Sequence, residues 1–417
     1  MIVTAASVRR TYYVLGFGNT FAASLIWGVN TIFLLDAGLS NFEAFTANAF
    51  FTVGMVLFEV PTGVIADTWG RRASYLLGTV TLAVATVLYV WLWQVRGPFW
   101  AWAVASVLIG LGFTFFSGAV EAWLVDALGA TGYDGPLDAV FARAQVFSGV
   151  GMLLGAGGGG YLAQLAGLGA PYVLRAAVLV LMSVLAAVLM RDLGFTPDRG
   201  LGPLGEVRKV VGESVEFGLR VPAVRYLMFA APFTGGVGIY VGYALQPYLL
   251  DLWGDEQAYG VAGLAAALLA GAQIVGGLTA PSLRRLFRRR TGMLAATLGL
   301  AAVVVLLIGL IRNFWALLVL IAAWGLLAAA AMPVRQAYLN GLIPSRQRAT
   351  ILSFDSLMSS SGGVVAQPAQ GRAADVWGYP ASYLISAALS ACALPFIWRS
   401  RRAGTGTGAD LLSAARR

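Results

Sequence analysis

Charged residues stand within or at the ends of long apolar runs, among them Glu59, Asp67, Glu121, Asp126, Arg143, Arg335 and Asp355. Carboxyls there can exchange protons or hold arginines. A charge near a bilayer centre costs about 3 kcal/mol unless it is paired or hydrated, so each needs a reason to be there. The 417-residue chain has no histidine, which excludes Ser–His dyads, histidine zinc sites and histidine proton relays together. Its single cysteine, Cys392, excludes an intrachain disulfide framework and a cysteine-rich metal site. There is no Gly-x-x-x-x-Gly-Lys-Ser/Thr loop for nucleotide phosphates and no Gly-x-Gly-Asp sequence of an intramembrane aspartyl protease. The chain is therefore expected to be no enzyme, to need no cofactor and to bind no metal.

The elements that position these charges follow from hydropathy. Hydrophobic residues make up 59% of the chain and charged residues 11%, against roughly 25% charged in a soluble protein. Twelve apolar runs of membrane length follow one another, from about Tyr12–Leu35 to about Ala381–Trp398. With both termini in the cytoplasm, 24 of the 28 basic residues fall on the inner side, leaving Arg96, Arg175, Arg312 and Arg372 near the outer side. The net charge of +9 then reads as loops facing an anionic leaflet, not as a nucleic-acid surface. Met1–Thr11 carries Arg9 and Arg10 and no small-residue cleavage site, so the first span is read as retained. The expectation is an all-α, multi-pass protein of the cell (inner) membrane. Its parts are an N-terminal six-helix bundle over 1–190, a cytoplasmic linker over 191–222, a C-terminal six-helix bundle over 223–400 and a flexible cytoplasmic tail over 401–417.

The two halves repeat. Leu34-Leu35-Asp36 recurs as Leu249-Leu250-Asp251, an offset of 215. Gly63 falls on Gly277, and Val120 and Leu124 on Val334 and Tyr338, at 214. Gly160, Gly167 and Tyr172 recur as Gly371, Gly378 and Tyr383 at 211. A steady offset through six spans fits two bundles related by an axis along the membrane normal, rocking around a central site. One chain then supplies a whole transport unit, and a monomer is expected. The acids are unequal between halves: Glu59 aligns with Gln273, Asp67 with Pro281, Glu121 with Arg335 and Asp126 with Asn340.

Between the second and third runs lies Glu59-Val-Pro-Thr-Gly63-Val-Ile-Ala-Asp67-Thr-Trp-Gly70-Arg71-Arg72. Gly63, Asp67, Gly70, Arg71 and Arg72 resemble the Gly-x-x-x-Asp-x-x-Gly-Arg-Arg loop of the major facilitator superfamily. On the fifth run, Gly151-x-x-x-Gly155-Ala156-x-x-Gly159-Gly160 is similar to that superfamily's antiporter motif, with Ala156 where the motif has proline. Close helix packing also explains these glycines. The arginine expected mid-way along the fourth helix of drug–proton antiporters is missing from Leu108–Phe116. The resemblance is thus to a divergent drug–proton antiporter-like member.

Asp67 sits at a helix C-terminus, where the dipole disfavours a carboxylate. The resemblance implies contact with the start of the eleventh helix near Ala349. Arg71 and Arg72 are expected to meet Asp126, completing a cytoplasmic gate. Glu121–Arg143 and Arg335–Asp355 are expected as two intramembrane pairs of reversed sign. Glu59 stands eight residues before Asp67, about 12 Å of helix rise deeper, and its repeat partner is an amide. A carboxyl kept where an amide fits points to use of its proton, so Glu59 is the first candidate for proton coupling and Glu121 the second. Permanent packing roles for these charges remain the other reading.

The resemblance also implies a substrate cavity between helices one, four, seven and ten. Candidates there are Asn19, Trp27, Asn30, Phe113, Phe116, Tyr240, Tyr243, Gln246 and Trp324. An aromatic, amide-bearing cavity suits small hydrophobic or amphipathic compounds. The expected function is a secondary active transporter working by alternating access, by proton-coupled efflux. A proton-coupled uptake symporter for a nutrient or metabolite is the alternative. A lipid scramblase or receptor-like non-transporting member is the alternative of another class.

Overall fold

A computed structural model describes residues 3–197, 220–343 and 348–404, apart from the side chains at 348–350 and 353. Most of the linker expected over 191–222, and the tail beyond Gly404, lie outside the described residues. Among the described residues there is no strand. The helices are α1 (Ala5–Ser24), α2 (Asn30–Asp36), α3 (Asn41–Trp69), α4 (Arg71–Val95), α5 (Phe99–Thr114), α6 (Ala119–Ala130), α7 (Leu137–Ala166) and α8 (Ala170–Leu189). They continue as α9 (Pro222–Trp253), α10 (Tyr259–Arg284), α11 (Arg290–Leu310), α12 (Phe314–Leu342), α13 (Arg348–Ala391) and α14 (Leu394–Ala403).

Among the described residues, ten stretches are long and apolar enough to cross a membrane. The twelve runs of the sequence reconcile with them at two places. The first run is interrupted at residues 25–29, so α1 and α2 are each short. The last two runs are joined through α13, where Gly378 has φ 79°. Its repeat partner Gly167 ends α7 with φ 86°. Both positions need the left-handed backbone that glycine reaches without strain. The fourth run is broken between α5 and α6, where Gly118 takes φ 67°.

The chain forms two compact units. One comprises Met1–Leu39, Phe50–Val207 and Asp255–Ala267; the other comprises Ser40–Ala49, Arg208–Gly254 and Leu268–Arg417. Each has its own core. Leu15, Tyr75, Val120, Trp123 and Leu124 are buried together in the first, and Val224, Leu227, Met293, Val334 and Tyr338 in the second. Val120 and Leu124 are the repeat partners of Val334 and Tyr338, so the internal repeat is a repeat of core positions. Outward faces are apolar too. Val80, Val84, Val87 and Trp91 form an exposed stripe at helical spacing along α4, as expected of a surface solvated by lipid.

Tight helix contacts explain the glycines of α7. A Cβ at Gly159 would lie 1.8 Å from the Leu25 carbonyl oxygen, and one at Gly155 would lie 2.7 Å from that of Phe21. At Gly151 it would lie 2.8 Å from the Phe17 carbonyl, and at Gly160 2.4 Å from the Gly263 Cα. The motif is filled by the backbones of α1 and α10, so its geometry is that of packing.

Candidate functional site

The loop between α3 and α4 is held from three directions. Gly70 turns the chain with φ 105°. Arg71 pairs with Asp67 one turn earlier, and its guanidinium lies over the Phe195 ring at 5.7 Å. The Arg72 backbone N–H donates to Asp192 Oδ1 at 2.9 Å, and its guanidinium donates to the Ala187 carbonyl. A Cβ at Gly70 would lie 2.4 Å from Asp192 Oδ2, so a side chain there would displace the Asp192 carboxylate as well as strain the backbone.

This differs from the sequence expectation in its partners. No ion pair joins Arg71 or Arg72 to Asp126 among the described residues. Asp192 occupies the N-terminus of α4 instead, where free backbone N–H groups and the positive end of the dipole both attract a carboxylate. The turn at Gly194 (φ 71°) brings it there, packing against the Asp126 carbonyl. Burial pushes the Asp192 carboxyl above its ordinary value, and Asp126 adds to this, while the Arg72 hydrogen bond and the charges of Arg72 and Arg71 oppose it. Asp67 meets Arg71 within its own loop; the side chains near Ala349, its expected neighbours, lie outside the described residues.

Of the two expected charge pairs, one is formed. Arg335 on α12 grips Asp355 on α13 with two parallel hydrogen bonds of 2.5 and 2.6 Å. That fork geometry is the strongest an arginine makes with a carboxylate. Glu121 and Arg143 are both exposed, and no ion pair between them occurs among the described residues. The break before α6 is the physical reason. It restarts the helix at Ala119 and puts Glu121 in the first turn, where the helix N-terminus favours a carboxylate without help from arginine.

The same break supplies a partner to Glu59. The Ser117 hydroxyl, between α5 and α6, donates to Glu59 Oε1 at 2.5 Å. Glu59 is exposed at the protein surface and is not enclosed by protein as its depth in the run implied.

The candidate cavity residues divide between the units. Asn19, Trp27, Asn30, Phe113 and Phe116 belong to the first, and Tyr240, Tyr243, Gln246 and Trp324 to the second. Several already have structural work. The Asn19 amide oxygen accepts from Tyr75 at 2.8 Å and that of Asn30 from Tyr172 at 3.0 Å. Tyr240 is buried, donates to Ser382 at 2.6 Å and packs on Phe45. Gln246 and Trp324 are buried within their own unit. Phe116 packs on Tyr75 and Phe113 on Phe51. Tyr243 is half-buried, and Trp27, in the gap between α1 and α2, is 40% exposed.

The sequence matches the Major Facilitator Superfamily over residues 12–252 and again over residues 227–410. The chain belongs to that superfamily. Its transporter fold, all-α with two six-helix halves, recurs in solved structures of low identity. A mutant of the nucleoside transporter NupG superposes with TM-score 0.78 at 11% identity, covering 94% of this chain and 99% of that one. A bacterial homologue of the human lysosomal transporter Spinster, inward-facing and unoccupied, gives 0.72 at 17% identity and 99% coverage of both chains. A D-xylose–proton symporter gives 0.68 at 14% identity, covering 94% of this chain and 96% of that one. No curated protein matches the sequence.

Two residues of this facilitator went unread in the sequence. Asp192 was hidden in the span-to-linker boundary, although a lone acid beside Gly194 was a signal for a capping turn. Arg175 was assigned to the outer side. It lies on α8, 2% exposed, with its guanidinium 5.9 Å from the Phe113 ring centroid. A single charge inside an otherwise apolar 20-residue helix was its signal.

Proposed function

We propose that this facilitator is a proton-coupled secondary carrier in the cell membrane, working as a monomer by alternating access and exporting small hydrophobic or amphipathic compounds. The observation that carries the proton coupling is the Ser117–Glu59 hydrogen bond. It ties a carboxylate on α3 to the break in the fourth span, so gain or loss of one proton changes a contact between two spans. With no histidine in the chain, a carboxyl must carry the proton, and Glu121 at the start of α6 is the second candidate. The loop of Gly63, Asp67, Gly70, Arg71 and Arg72, docked on Asp192, acts as a cytoplasmic gate. Trp27, 40% exposed, offers apolar surface to substrate. Uptake by symport is the second reading, favoured by the likeness to a D-xylose–proton symporter.

The test uses proteoliposomes loaded with pyranine, a pH-reporting dye, and ethidium as the transported probe. The parent is expected to move protons against ethidium and to accumulate it under a pH gradient. Glu59→Gln is expected to retain ethidium exchange and lose accumulation. Accumulation by Glu59→Gln equal to the parent, with the same pH dependence, removes Glu59 from the mechanism. Proton and probe moving in the same direction selects symport.

A further inference from the structure

Where the first half has the Asp67–Arg71 pair, the second half has a cavity. Gly277 and Pro281 are the repeat partners of Gly63 and Asp67. Both line a pocket of about 130 Å³ together with Ala280, Arg284, Arg290, Pro333, Val334 and Ala337. The walls are small and apolar, from α10 and α12. The two arginines come from the last residue of α10 and the first of α11. Arg284, Arg285, Arg288, Arg289 and Arg290 crowd this turn, and the sequence contains no Asp or Glu between Glu256 and Asp355. The second half thus has Pro281 where the first has Asp67, with arginines beside a volume.

We propose that this pocket binds the headgroup of an anionic phospholipid, its phosphate against Arg284 and Arg290 and its glycerol and upper acyl carbons on the apolar wall. Charge complementarity selects the sign of the ligand. The pairing of a cationic rim with an apolar wall, in a helix pair that meets lipid, selects an amphipathic anion over a free one. Arginine suits a phosphate, offering a planar fork of donors, and clustered arginines at a membrane's inner surface attract anionic headgroups. The site would tie the α10–α11 turn to the anionic leaflet.

The experiment titrates phosphatidylglycerol, phosphatidylcholine and inorganic phosphate into the full-length protein in detergent, reading bound lipid by native mass spectrometry and the thermal midpoint alongside. The parent is expected to retain phosphatidylglycerol in preference to phosphatidylcholine and to be unaffected by phosphate alone. The double variant Arg284→Gln/Arg290→Gln is expected to bind it about thirtyfold more weakly, the loss of two arginine–headgroup contacts. Arg312→Gln, just beyond the opposite end of α11, is expected to bind as the parent does. Ala337→Phe keeps both arginines and fills the cavity; it too is expected to lose the lipid, and it decides the matter should the double variant not fold. The proposal is overturned by undiminished binding in Ala337→Phe or in a folded double variant. It is equally overturned by parent protein that does not prefer phosphatidylglycerol, or by inorganic phosphate that stabilises as well as the lipid does.

Discussion

Asp375 on α13 accepts the backbone N–H groups of both Asn41 and Phe42, each at 2.9 Å. These are the first two donors of α3. The third, that of Glu43, goes to the Ser40 hydroxyl, while the Glu43 carboxylate takes the Ser40 N–H at 2.9 Å. Every donor of that first turn is thus satisfied, by a capping box and a distant carboxylate. The repeat carries the device into the other half. Gln164 precedes Asp375 by 211, and its amide oxygen accepts the Gly260 N–H at the start of α10 at 3.1 Å.

Asp375→Ala is expected to lower stability by about 1 kcal/mol, the usual size of a lost N-terminal cap, and Asp375→Asn by less, since one acceptor oxygen remains. Thermal midpoints in detergent, with hydrogen exchange at Asn41 and Phe42, measure this. Unchanged exchange in Asp375→Ala would show that the carboxylate is not the cap.

The Arg335–Asp355 fork is half-buried and bidentate, so removing one partner strands the other. Asp355→Ala is expected to cost about 3 kcal/mol, as breaking a buried pair does. The double variant Arg335→Met/Asp355→Leu is expected to recover much of that loss. A double-mutant cycle on thermal stability gives the coupling, and a coupling near zero contradicts the fork.

Gly159 has the least room of the α7 glycines. Gly159→Ala is expected to force α1 and α7 apart, because the added Cβ meets the Leu25 backbone and not a movable side chain. A cost of about 2 kcal/mol is in the range of overpacked cores. Gly158→Ala, with nothing within 4 Å of its Cβ, is the internal control and is expected to be neutral within about 0.5 kcal/mol.

Asp192 gives a pH signature. Its carboxyl is raised above the ordinary value of 3.8, so between that value and the raised one the folded protein holds more protons than the unfolded. Stability contributed by this group is full below pH 3.8 and falls as the pH rises through the raised value. Asp192→Asn is expected to flatten that part of the stability–pH curve while keeping an acceptor for the Arg72 N–H. An unchanged slope assigns the titration elsewhere.

Local composition and periodicity made twelve spans, their repeat and the charged loop legible before any coordinates, because a bilayer demands runs of about 20 apolar residues and charges between them. Gly167 and Gly378 could be paired by offset alone, and both turn out to need positive φ. Arg335–Asp355 was also legible, from matched depth on adjacent spans. What the sequence left open was which of several equivalent partners a charge meets. Asp126 and Asp192 are both acids near the α4 N-terminus, and only the turn at Gly194 decides for Asp192. Glu121 and Arg143 share a depth but not a bond, because helix face depends on rotation, and the break at Gly118 resets it. Depth is one-dimensional and can be counted along the chain; facing, enclosure and capping are properties of several segments at once, so they exist only when the helices have packed.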